Sequence, residues 1–110
     1  MHIRECESTD YPDLAMFYGA VYPDRHFSAD TFADDDRKRD PKFQFKRWIA
    51  VIDVGVVGTA MYYQREWFYH PQTFRVGGLV APGCRKQGIG SALYDQVIRE
   101  RRGYTSVGRT

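Results

Sequence analysis

The chain has 110 residues, of which 43% are hydrophobic, 15% aromatic and 27% charged, enough for one domain with a modest core and without room for a second independent unit. No run approaches the roughly 18–20 consecutive apolar residues of a membrane helix, and residues 1–10 are too polar for a secretory leader, so cytoplasmic residence and no membrane partner are expected. A net charge of +2 is too small to argue for nucleic acid. Two cysteines, Cys6 and Cys84, and the scattered His2, His26 and His70 give neither a disulfide framework nor metal-ligand spacing, so no metal is expected.

The charge is unevenly spread. Residues 1–40 hold five Lys/Arg against ten Asp/Glu, whereas residues 81–110 hold six Lys/Arg against two Asp/Glu. The basic end is also the glycine-rich end. Arg99, Arg101 and Arg102 equally suit the C-terminal turn of a helix, where cations complement the dipole.

Ile3 opens a short segment expected to be an edge strand. Ser8, Thr9 and Asp10 then offer N-cap oxygens, and Pro12 falls in a first helical turn, so a helix is expected from about Tyr11. Leu14, Phe17, Tyr18 and Val21 recur at helical spacing before Pro23 and read as core packing. Ser28 can cap a second helix over residues 29–39, whose only large apolar residue is Phe32. A helix this polar is expected to be a weakly anchored, mobile surface segment; the alternative is a flap whose Asp34, Asp35 and Asp36 attract an amine.

Aromatic and β-branched residues dominate 43–52 and again 54–63, with Asp53, Val54 and Gly55 as the turn of an antiparallel hairpin. Residues 66–69 can extend the second strand, His70, Pro71 and Gln72 break it, and residues 73–80 form a third. Gly77 and Gly78 inside that strand point to a bulge or to close approach by another backbone. Pro82 and Gly83 end it. Ile89, Ala92, Leu93 and Val97 then mark one face of a helix over about 88–101, and residues 104–107 begin another strand.

Strand, glycine-rich basic turn and helix N-terminus together make an anion site, because the N–H groups of a first helical turn lack intrahelical partners and sit at the positive end of the dipole. Spacing separates the phosphate motifs that fit such a turn. Gly83 and Gly88 have the Walker A separation, but Ile89 stands where lysine is required. Gly88 and Gly90 begin a dinucleotide fingerprint, but Leu93 stands where the third glycine is required.

Arg85-Lys86-Gln87-Gly88-Ile89-Gly90, preceded by Val80-Ala81-Pro82 and followed by Ser91, Ala92 and Leu93, resembles the acetyl-CoA motif R/Q-x-x-G-x-G/A of the GNAT superfamily of N-acetyltransferases. The order of elements, with Val56-Val57-Gly58 in the hairpin, resembles the same family over most of the chain. The resemblance implies an α/β (α+β) GNAT-like acyl-CoA N-acyltransferase fold, with flanking helices on a mixed, mostly antiparallel sheet, as a single domain over residues 1–110 that stops soon after the acetyl-CoA-binding helix. It implies that the main chain of Leu79 and Val80 holds the pantetheine arm and that the amides of Gln87, Gly88, Ile89, Gly90 and Ser91 hold the pyrophosphate. Arg85 and Lys86 would assist.

The reaction implied is acetyl transfer from acetyl-CoA to an amine acceptor, with Glu66 the expected general base and Tyr62, Tyr63 and His70 weaker choices. Family members continue with a tyrosine-bearing helix and two further strands, so the strand at 73–80 and the stub at 104–107 are expected to expose pairing edges. Self-association as a dimer follows from that expectation. Two other readings stay open: an acetyl-CoA-binding module with impaired catalysis, and an interaction domain whose glycine turn is only a turn.

Overall fold

The computed structural model describes residues 1–53, 55–64, 73–100 and 105–109. Its strands are β1 (His2–Glu5), β2 (Phe45–Ile52), β3 (Gly55–Tyr63), β4 (Thr73–Val80) and β5 (Thr105–Arg109), and its helices are α1 (Tyr11–Val21), α2 (Ala29–Lys38) and α3 (Ile89–Glu100). The strands lie side by side in chain order. β1, β2, β3 and β4 pair antiparallel, and β5 joins β4 in parallel. This is the expected α+β arrangement, a mixed and mostly antiparallel sheet with flanking helices. The possible strand extension at 66–69 and the break at 70–72 lie outside the described residues.

Alternation along β2 divides the core in two. Trp48 and Ala50 face α3, where they meet Ala60, Tyr62, Val76, Ile89, Leu93 and Val97; Ile49 faces the other helices and meets Leu14, Ala15, Phe17 and Phe32. Each of the fully buried Leu14, Ile49, Leu93 and Val97 contributes about 1.5–3 kcal/mol of apolar burial. The register of β2 on β3 slips between Ala50 and Val51, leaving Val57 unpaired. The following Gly58 lies under α3 so closely that a Cβ there would fall 2.9 Å from Leu93 Cδ1 and 3.1 Å from Ile89 Cγ2.

Two expectations about the N-terminal third need correcting. Asp10 does occupy the N-cap of α1, but its carboxylate does not cap that helix. It accepts from the Glu7 N–H at 2.8 Å and takes both terminal nitrogens of Arg4, at 2.6 and 2.7 Å, so it ties β1 to the entry of α1. The other correction concerns α2, which is well anchored. Phe32 is 5% exposed among Tyr11, Tyr18 and Phe27, the Tyr11 hydroxyl donates to Asp36, and Ser28 and Thr31 form a capping box at the start. One aromatic side chain entering a ring of others outweighs a polar average over ten residues.

Candidate functional site

The chemistry-bearing window begins on β4. Its inner edge pairs with β3 from Tyr63↔Arg75 to Gly58↔Val80 without interruption, but its outer edge pairs with β5 only from Thr73 to Val76. Residues 77–80 therefore carry an edge with no strand partner among the described residues. β5 covers the first half of that edge, as far as Arg109 opposite Val76. The bulge expected at Gly77 and Gly78 is absent from the β3 side; the irregularity lies against β5, between Phe74 and Arg75. Close approach does hold at Gly78, where a Cβ would meet the Thr59 carbonyl at 3.2 Å.

Beyond Val80 a single 3-10 turn, Pro82–Cys84, leads into the basic loop. Arg85, Lys86 and Gln87 are all exposed, and Arg85 Nε donates to the Val80 carbonyl at 3.3 Å, fastening the loop to the end of β4. Lys86 and Gly88 have φ of 66° and 81°, left-handed values. Open space surrounds Gly88, so glycine is demanded there by backbone conformation and not by crowding. The first intrahelical bond of α3 runs from the Ala92 N–H to the Gly88 carbonyl at 3.0 Å, leaving the N–H groups of Ile89, Gly90 and Ser91 ahead of any intrahelical acceptor. Gly90 is exposed, and a Cβ there would touch Val80 Cγ2 at an ordinary 3.5 Å. Ile89 divides its roles, since its side chain is buried in the core and only its main chain belongs to the turn.

A groove of about 610 Å³ follows this edge, walled by residues 76–80 of β4 on one side and by Gly90, Ser91, Tyr94 and Asp95 of α3 on the other. A second groove, of about 800 Å³, lies on the opposite face beneath α2 and the segment that follows it, with Asp35, Lys38, Arg39, Asp40, Phe43, Phe45, Met61 and Tyr63 in its walls. The two share Gly77, Gly78 and Leu79. This stretch of backbone therefore borders both grooves.

Of the expected cofactor residues, Leu79, Val80, Gly90 and Ser91 line the first groove, while Arg85, Lys86, Gln87, Gly88 and Ile89 belong to the loop and helix start that join its two walls. Glu66 and His70 lie outside the described residues. Tyr62 points into the α3 core, 6% exposed, with its ring 5.9 Å from that of Trp48, so it has no access to either groove. Tyr63, one residue on and on the opposite face, lines the second groove. The wall formed by α2 was legible only as the flap alternative. No spacing rule points to Phe43, Phe45 and Met61, which converge from separate segments.

The Arg39 guanidinium pairs with Asp36 at 2.8 Å and lies 3.7 Å above the Phe45 ring, which fixes one side of the second groove. Asp10 is held below the usual carboxylate range by its hydrogen bonds from Arg4, against the opposing effect of its own burial. Burial, and then the bond to Asp36, pushes the Tyr11 hydroxyl up to about 12. Among the described residues no His/Cys/Asp/Glu group is arranged to hold a metal ion, and no helix is long and apolar enough to cross a membrane.

Comparison with known proteins accords with this geometry. The family model of the GNAT acetyltransferases matches residues 3–107. A solved structure from Streptococcus mutans UA159, smu.2055, superposes with a TM-score of 0.76 at 20% identity, covering 94% of this chain and 68% of that one. A ribosomal-protein-alanine N-acetyltransferase from Brucella melitensis gives a TM-score of 0.72 at 25% identity, covering 93% and 67%. An aminoglycoside 6'-N-acetyltransferase solved with coenzyme A gives 0.68 at 19% identity, covering 92% and 55%. No protein of curated function matches by sequence. With the family model spanning nearly the whole chain, over the sheet, loop and helix just described, the chain belongs to the GNAT family of acetyltransferases.

Proposed function

We propose that this chain transfers the acetyl group of acetyl-CoA to an amine. The observation that carries the reading is the edge at residues 77–80, without a strand partner among the described residues, leading into the N–H groups ahead of any intrahelical acceptor at the start of α3. An extended pantetheine arm can pair with the main chain of Leu79 and Val80 as an added strand would, and its pyrophosphate suits the amides of Gln87 to Ser91 with Arg85 and Lys86 at the rim. The thioester then falls beside Gly77 and Gly78, which border both grooves, and an amine from the second groove can reach it. Nitrogen attacks the thioester carbonyl, the C–S bond breaks, the amine's proton passes to a base or water, and the thiolate leaves as CoA thiol after taking a proton. Main-chain N–H groups at the shared stretch would stabilise the oxyanion. Glu66 remains the proposed base, and Tyr63 is a second group on the acceptor side. The outer edge of β5, without a strand partner among the described residues, also supports self-association through a second copy.

Titration calorimetry with acetyl-CoA, paired with thiol release over a set of amines, tests the reading. The chain should bind acetyl-CoA, and Gly90→Val, which sets a branched side chain against Val80 and over the helix N-terminus, should weaken binding about tenfold or more. Binding unaffected by that substitution would favour the interaction-domain reading. Binding without thiol release would favour the acetyl-CoA-binding module.

A further inference from the structure

The second groove is built unevenly: much of its wall is apolar, and its charges are few and of both signs. Tyr22 at the end of α1, Phe43, Phe45, Met61, Tyr63 and Leu79 form the apolar part. The ionic part is Asp35 and Asp40 against Lys38 and Arg39, and Arg39 is already committed to Asp36. Asp40 accepts from the Lys42 N–H at 2.9 Å, whereas Asp35 and Lys38 form no ion pair among the described residues. A polycation gains little from such a wall: with Arg39 committed to Asp36, Asp35, Asp40 and Lys38 leave about one net negative charge, enough for one ammonium and not for several. An amine with one charge and a flat apolar body does better. The rings and Met61 remove its body from water, the net negative wall favours the entry of its single charge, and its one nitrogen is left to reach Gly77 and Gly78.

We propose that the acceptor of this chain is a primary monoamine carried on an aromatic or similarly apolar body. The proposal rests on the acetyltransferase reading and concerns only the second groove. Phenethylamine, spermidine and kanamycin are each titrated near neutral pH into the chain saturated with CoA, so the ranking is read from binding and does not depend on turnover. Phenethylamine should bind about tenfold more tightly than spermidine or kanamycin. Phe43→Ala should weaken phenethylamine about fivefold, with acetyl-CoA binding measured alongside to show that the variant folds. Lys38→Glu, an exposed change, should strengthen spermidine about threefold or more and leave phenethylamine within about twofold. Spermidine or kanamycin binding as tightly as phenethylamine, no amine binding at all, or indifference of spermidine to Lys38→Glu would each overturn the proposal. Failure of the wild-type chain to bind acetyl-CoA would overturn this inference and the acetyltransferase reading together; acetyl-CoA binding with the wrong amine order would overturn this inference alone.

Discussion

Single residues in this molecule are constrained by what surrounds them more than by their own type. Gly58 and Gly90 are both glycines beside α3, yet a Cβ at Gly58 meets two core side chains at 2.9 and 3.1 Å and the Leu79 carbonyl at 3.3 Å, while one at Gly90 makes an ordinary contact. Gly58→Val should therefore cost about 1–3 kcal/mol in denaturant unfolding, with little relief from repacking because Leu93 is 1% exposed. Asp10 is constrained by charge. Its pKa is lowered in the folded state, so its contribution is present above the unfolded carboxylate pKa and is lost as pH falls through and below that value. Asp10→Asn should destabilise the chain by about 1 kcal/mol at neutral pH, a modest amount because the Arg4 side chain is 37% exposed and screened. The gap between variant and wild type should close on acidification. A gap that stays constant down to strongly acid pH would show that Arg4 and Asp10 contribute no pH-dependent stability.

At the scale of elements, α2 and β4 show how position overrides composition. The exposed face of α2 carries local pairs such as Arg37 with Asp34, but its attachment depends on Phe32 and on the bond from Tyr11 to Asp36. The Tyr11 hydroxyl is raised to about 12, so the stability it adds is complete below its ordinary value of 10.0 and is lost as pH climbs from there toward 12. Tyr11→Phe should cost about 1 kcal/mol below that window and progressively less within it, measured as the difference between wild-type and variant unfolding curves. Along its outer edge β4 is covered by β5 over its first half, and its second half has no strand partner among the described residues. The motif in the loop was readable because it is local, a matter of spacing within a few residues. Which residues of β4 take β5 as their neighbour was not, since that depends on where a strand some thirty residues later lies down.

For the whole molecule, the sheet separates two tasks. α3, its core of Ile89, Leu93 and Val97, and the first groove occupy one face; α1, α2 and the second groove occupy the other, and Gly77, Gly78 and Leu79 border both grooves. Long-range ties hold this arrangement, among them Lys46, whose Nζ lies 2.7 Å from Glu100 at the end of α3 and 3.7 Å from Glu5 on β1. The outer edge of β5 has no strand partner among the described residues, and pairing through it predicts a dimer at micromolar concentration by light scattering coupled to size exclusion. A clean monomer under those conditions would rule against it.

The sequence alone determined the kinds and order of the elements, the helical stripe of Leu14 and Phe17, and the glycine-rich basic turn, because periodicity and motif spacing are properties of neighbouring residues. It could not determine that Tyr62 is buried while Tyr63 reaches a groove, although alternation required that they part, because which face of the sheet carries which helix is a tertiary fact. Nor could it bring Phe43, Phe45, Met61 and Leu79 into one wall. That wall exists only after antiparallel pairing and helix packing have joined segments that share no local signal, and the pairing of β5 with half of β4 was decided at the same level.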